Sequence, residues 1–229
     1  MYKGEKHMAT TYLAGEQTKR TILRESKKLF YKKGYTETTY SDISTVAKIN
    51  RALIPYHFKN KQILGLEIYH QIITEFYSLI DNVLDTTQFD KDFVNILHTV
   101  AYYRLLSSNR HLLQFVSELQ ADENATLFTS EEEIQWLTGL GSKFSNLSED
   151  QLYLLSKMHI GMQKECIALL NDQNNLDINS MIAMHIHMIM RYVGYSAKKT
   201  DELIHAATEI TNLLNFQIKN GFSVELTYN

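Results

Sequence analysis

The 229 residues are long enough to bury a core in one large domain or in a small domain joined to a medium one, so no disulfide framework or structural metal is needed to hold the fold. Cys166 is the only cysteine, and nothing of signal-peptide or membrane-span length interrupts the polar pattern, since the longest apolar-looking run, Met181 to Met190, is broken by His185 and His187. The expectation is a cytoplasmic protein with no membrane contact. Its net charge of −3 hides a lopsided distribution: residues 1–64 carry 13 Lys and Arg against 5 Asp and Glu, whereas residues 65–229 carry 10 against 21. A basic N-terminal segment is the footprint of a phosphate-binding module, and the acidic remainder must be turned away from any nucleic acid.

With one proline and nine glycines, breakers are few, and apolar residues recur at spacings of three and four over most of the chain. This predicts an all-α protein. Residues 1–16 have no regular pattern and are expected to form a flexible arm. The first helix is expected over Gln17 to Lys33, with Ile22, Leu23, Ser26, Leu29 and Phe30 inward and Gly34 as terminator. A short second helix follows Thr39, which makes a capping-box pattern with Asp42, and ends near Lys48. A third runs from Asn50 to about Phe58, and Asn60 opens a long fourth helix to Leu84. Further helices are expected over 89–107, 110–122, 130–144, 149–170, 177–192 and 198–219, the fourth of these introduced by a Ser148 and Gln151 capping box.

The segment from Thr39 to Lys61 places two short helices around a tight turn, which is helix-turn-helix spacing. In such a pair the first helix props the second into the major groove, where N-terminal side chains meet base edges. Ile43, Ala47, Ile49, Ile54 and Phe58 suit its small core, and Asn50, Arg51, Tyr56, His57, Lys59 and Lys61 supply donors for phosphates and base edges. For Tyr56, His57 and Lys59 packing or plain solvation is the competing reading.

Lys28-Leu-Phe-Tyr-Lys-Lys-Gly-Tyr35, then Thr39, Ile43, Ala47 and Tyr56-His-Phe-Lys-Asn-Lys61, resemble the head signature of the TetR (tetracycline-repressor) family, over roughly residues 17–65. The resemblance implies a three-helix DNA-binding head at 17–64, a helical ligand-binding and dimerisation body at 65–229, and a homodimeric repressor released from a palindromic operator by a small molecule. It also implies that Thr39 and Ser41 touch phosphate, that Asn50 and Arg51 open the recognition helix with Arg51 reading a base, and that Tyr56, His57 and Lys61 grip the backbone. Two residues depart from the pattern. Pro55 stands where the family usually carries a phosphate-binding tyrosine, and Leu53 where a small hydroxyl residue is common. Pro55, about one turn into the expected helix, removes a backbone donor and threatens to crowd the Arg51 carbonyl.

In the body, the stripes of the last two expected helices, including Ile182, His185, Ile189, Ile204, Ala207, Ile210 and Leu214, suit a dimer-forming four-helix bundle. Tyr102, Tyr103, Phe115, Trp136, Met158, Met162 and Cys166 form an aromatic and methionine-rich set that suits either an apolar ligand cavity or ordinary core. Neither a metal nor a cofactor is expected: the histidines lack an i, i+4 pair with a carboxylate partner, and no phosphate loop, nucleophile elbow or HExxH motif points to an enzyme. The competing function is a helical ligand-binding or protein-interaction module whose DNA-binding head has decayed.

Overall fold

The computed structural model describes residues 3–122, 127, 147–172, 177–192 and 194–228, with side chains from residue 13 onward. Helix α1 runs Lys3–Lys33. Residues 3–16 therefore continue the first helix and do not form an irregular arm; Glu5, Lys6, Met8, Ala9, Leu13 and Ala14 are good helix formers, and Gly15 is too slight a break to stop it. At its other end α1 stops where expected, at Gly34 with φ +86° and its N–H on the Phe30 carbonyl at 3.0 Å.

Helix α2, Tyr40–Ala47, begins with the complete capping box that the sequence suggests: the Asp42 N–H donates to the Thr39 hydroxyl oxygen, and the Thr39 N–H donates to the Asp42 carboxylate at 2.8 Å. Lys48, at φ +54°, closes α2 in the left-handed region. Helix α3 is short, Leu53–Phe58, and starts three residues later than expected because residues 50–52 form a turn in which the Asn50 side chain accepts the Ala52 N–H at 2.9 Å. Pro55 is thus the third helical residue, in the first turn, where N–H groups have no intrahelical partner to lose. The Arg51 carbonyl four residues back instead accepts the Ile54 N–H at 3.2 Å.

Asn60 caps α4, Lys61–Leu84, whose buried face is Leu64, Ile68, Tyr69, Ile72, Ile73, Phe76 and Ile80. After a 3-10 turn at Thr86–Gln88 come α5, Lys91–Ser108, and α6, Arg110–Ala121, capped by Asp90 and Asn109. Then follow α7, Glu149–Asn171, with its Ser148 and Gln151 capping box, α8, Ile178–Tyr192, and α9, Ala197–Asn212. The helix expected over 130–144, with Trp136, lies outside the described residues.

The chain does not remain helical to Lys219. It turns after α9 into an antiparallel hairpin, β1 at Leu214–Lys219 and β2 at Ser223–Tyr228, paired from Leu214↔Tyr228 to Lys219↔Ser223. Leu214, Phe216 and Ile218 fit a period of two as well as the helical stripe they were assigned to, and Asn220-Gly221 supplies the turn with Gly221 at φ +80°. One continuous core runs from Ile22 and Phe30 of α1 through α4, α5 and α6 to Ile182 of α8 and Val224 of β2.

Candidate nucleic-acid interface and the residues of the body

The head buries Ile22, Phe30, Ile43, Ile54 and Phe58, which fixes α2 and α3 at a set angle. What this core leaves outside is the candidate interface. Thr39, Ser41, Asn50, Arg51, Tyr56 and Lys59 are exposed, with the Tyr56 ring 79 % exposed. His57 is half-buried, edge-on to Tyr56 at 5.0 Å. The Arg51 guanidinium lies in electrostatic range of the Tyr40 hydroxyl, which brings the start of α3 beside the start of α2. Tyr40 is a residue that sequence reasoning passed over, although its place directly after the Thr39 cap was a usable signal.

Lys61 is placed differently. Its ammonium donates to the carbonyls of Tyr35, Thr36 and Thr38 at 3.0, 3.2 and 3.2 Å and sits 4.4 Å from the centre of the Tyr35 ring. Burial pulls its pKa down, against the nearby acids Asp122 and Glu118. The side chain closes the loop between α1 and α2 from beneath and is turned away from Tyr56.

Two acidic residues of the head, Asp42 and Glu25, are held by neighbouring cations. Lys33 donates to Asp42 at 2.7 Å, and that bond, with the Thr39 donors, holds the Asp42 carboxyl well below the usual carboxylate range. Burial by itself raises Glu25, but hydrogen bonds from Arg24 and Lys28 outweigh it and leave the carboxyl below its ordinary value. Lys48, Arg51 and Lys59 therefore present a surface whose field is positive.

The head is held to the body by α6. Glu118 accepts the Thr36 N–H at 2.7 Å, and Asp122 accepts the Tyr35 hydroxyl at 3.0 Å and a bond from the Gln62 amide. Gly65 permits the close approach, since a Cβ there would stand 2.8 Å from a Leu119 methyl group and 3.0 Å from the Tyr35 ring.

Of the residues assigned to a ligand cavity, Trp136 lies outside the described residues and the others fall into separate groups. Tyr102 and Tyr103 are buried, the former bonded to the Tyr69 hydroxyl at 3.1 Å and the latter to His185 Nδ1 at 2.7 Å. His185 Nε2 in turn meets His159 Nε2 at 2.6 Å, and Cys166 lies on the other side of Tyr103, its thiol pushed up by burial. Phe115 belongs to the head junction, stacked on Phe30 at 5.5 Å; Met162 is partly buried, and Met158 is exposed. Beside His185 a space of about 20 Å³ lies against Asn95, Thr99 and Ile189, room for about one water molecule.

The stripe assigned to a dimer interface is likewise turned inward. Ile182, His185, Ile189, Ala207 and Leu214 are buried within the protomer, and Ile204 and Ile210 pack half-buried against its core. Exposed apolar side chains of the body include Tyr153, Leu154 and Met158 on α7, Met184, Met188 and Tyr192 on α8, and Leu213 after α9.

Residues 22–68 match the family model of the bacterial regulatory proteins of the tetR family, the span of α1 to α4 just described. No curated protein matches the sequence. Among solved structures, a TetR-family transcriptional regulator from Pectobacterium atrosepticum is 18% identical, with a TM-score of 0.53 over 78% of this chain and 93% of that one. TylP, a tetR regulator from Streptomyces fradiae, is also 18% identical, over 84% of this chain and 98% of that one, with a TM-score of 0.48. Residues 22–68 thus match the head of the tetR family of bacterial regulatory proteins, and the chain shares its fold with the Pectobacterium atrosepticum regulator.

Proposed function

We propose that the chain is a homodimeric transcriptional repressor that reads a palindromic DNA operator through α3 and leaves it when a small molecule enters the body. The observation that carries the DNA reading is the joint exposure of Arg51 and Tyr56 on a rigid, basic head whose α2 N-terminus is capped and free to face a phosphate. Thr39, Ser41, Tyr56 and Lys59 take backbone contacts, Asn50 and Arg51 take base edges, and His57 supports Tyr56. Lys61 acts at one remove, by holding the loop that sets α2.

The reading of a decayed head loses its motive. It rested on Pro55 and Leu53, and Pro55 occupies a first-turn position that costs no hydrogen bond, while Leu53 is half-buried.

Release by a ligand is supported by how the head is held. Glu118 and Asp122 of α6 fix the Tyr35–Thr36 loop, so a molecule that parts α6 from its neighbours moves the head with it. The space of about 20 Å³ at His185 is far below the roughly 300–1,000 Å³ of a ligand pocket, so binding there must open the body. No helix among the described residues is long and apolar enough to cross a membrane. The test is selection of random duplex DNA by the purified protein, with Arg51→Ala as control. Recovery of a two-fold symmetric site that depends on Arg51 supports the reading, and absence of enrichment at low salt ends it.

A further inference from the structure

The C-terminal hairpin lies along α4 and reaches from the far end of the body to the head. Its inner face carries Leu214, Ile218 and Val224, all buried, with Phe216 edge-on to Phe76 of α4 at 5.2 Å. Its outer face carries Gln217, Lys219, Ser223, Glu225 and Thr227, all exposed, with an ion pair between Lys219 and Glu225. At the body end, the Tyr228 hydroxyl donates to the Val83 carbonyl, one residue before the end of α4, at 3.0 Å. Near the tip, the Asn109 amide donates to the Ile218 carbonyl at 3.4 Å, which ties β1 to the start of α6.

The tip is unusual. Hairpin loops are ordinarily exposed and polar, yet Phe222 is 0 % exposed and adopts φ +60°, a conformation that bulky residues avoid unless their surroundings impose it. What holds it is an aromatic cluster shared by three units. The Phe222 ring lies 5.0 Å from Phe115 of α6 and 5.3 Å, edge-on, from Tyr31 of α1; Tyr31 stacks on His111 of α6 at 4.4 Å, and Phe115 stacks on Phe30 of α1. Tyr31 is two residues from the end of α1, and Lys33 at that end grips Asp42 of α2. The hairpin tip is therefore wedged where the head meets the body.

We propose that this hairpin is a strut that sets the angle of the head on the body, with Phe222 as the positioning residue. For its consequence in DNA reading the inference rests on the function proposed above. A head whose angle is loose still presents the same side chains to one half-site, but two such heads no longer match a fixed separation between half-sites. Removing the wedge thus weakens binding to a full site and spares a half-site.

The experiment places nitroxides at Thr45→Cys on α2 and Ser107→Cys at the end of α5, in labelled chain diluted with unlabelled chain, and records the distance distribution for the parent and for three variants. Phe222→Ala is expected to broaden or shift the distribution, Phe222→Leu to restore it, and Leu214→Ala, which weakens the same hairpin at its body end, to leave it unchanged. Tyr31→Ala, which removes the contact from the head side, is expected to act like Phe222→Ala and stands in for it should that variant not fold. On the selected operator the expected loss is about 5- to 150-fold, the usual size of a coupling between sites, with half-site affinity retained. An unchanged distribution in Phe222→Ala and Tyr31→Ala, or equal broadening in Leu214→Ala, overturns the strut. A changed distribution in a protein that selects no DNA keeps the strut and ends the DNA reading; the converse pair of results does the opposite.

Discussion

Arg51 and Lys61 are both cations of the head, and the structure gives them opposite work. Arg51 is exposed at the turn that opens α3, where a guanidinium meets a guanine edge, so Arg51→Ala is expected to cost about 1–3 kcal/mol of discrimination at a single base pair. Titration of operators substituted one position at a time checks this, and a uniform loss across all positions would make Arg51 a phosphate contact instead. Lys61 is spent on three carbonyls, so Lys61→Met is expected to lower the melting temperature while leaving the slope of log K against log salt as it was; Lys59→Ala is expected to shrink that slope by about 0.9. Residue type alone could not separate the two. Both are lysine or arginine near a recognition helix, and only the carbonyls of a loop 23 to 26 positions earlier in the chain decide which one turns inward. His185 makes a third case. Burial, then the neighbouring His159 imidazole, push its pKa down to about 3 from an ordinary 6.5, and the Tyr103 hydroxyl is its other polar neighbour. Between those values the unfolded chain takes up a proton that the folded chain refuses, so this contribution is fully present above pH 6.5 and is lost as pH falls toward 3, by at most about 1.4 kcal/mol per pH unit. Denaturant unfolding at pH 7 and pH 5 should show the wild type losing more stability on acidification than His185→Gln does, and equal losses would remove His185 from the account.

At the scale of elements, what was legible is what local chemistry decides. Gly34, the Thr39 and Asp42 box, the Asn60 cap and the Ser148 and Gln151 box all mark the ends they were assigned, because each signal is satisfied within four residues of itself. The departures occur where two patterns overlap. Ala207, Ile210, Leu214 and Ile218 keep a helical spacing, while Leu214, Phe216 and Ile218 alternate as a strand does, and the choice falls to the Asn220-Gly221 turn and to the apolar face of α4 that a sheet covers better than a helix end. Pro55 shows the same limit on a smaller scale: its cost depends on whether the helix starts at residue 50 or 53, and the Asn50 turn moves the start to 53. A proline in a helix interior costs about 3 kcal/mol, whereas one in the first turn costs little. Pro55→Ala is accordingly expected to change unfolding free energy by less than about 1 kcal/mol in either direction, the usual size of an unstrained proline substitution. A gain near the interior value in a denaturant titration would mean that the recognition helix begins earlier and is strained.

For the whole molecule, the charge division between residues 1–64 and the rest pointed to the head and to the side of the protein that faces away from DNA, since net charge is a property that survives any local error in element ends. The stripes of α8 and α9 were expected to meet a second copy, and the strongest apolar stripe of a helix also serves its own protomer. Ile182, Ile189 and Ala207 do so, and the exposed apolar side chains include Leu154 and Met158 on α7 and Met184 and Met188 on α8. Those two helices pack on each other and both keep apolar side chains exposed, Met184 at 70% and Leu154 at 60%, and we propose this surface as the one a second copy meets. A two-fold axis across it makes a four-helix contact in which every residue is used twice. Met184→Glu therefore brings two carboxylates into one interface, and the variant is expected to sediment as a monomer at concentrations where the parent is a dimer. Its affinity for a full operator should fall toward that for a half-site, while melting temperature measured on the monomer and Arg51-dependent half-site binding stay as they were, because Met184 supports no part of the protomer core. A dimer that withstands Met184→Glu would place the contact on another face, and a chain that is monomeric before any substitution would leave two-fold operators without a two-fold reader.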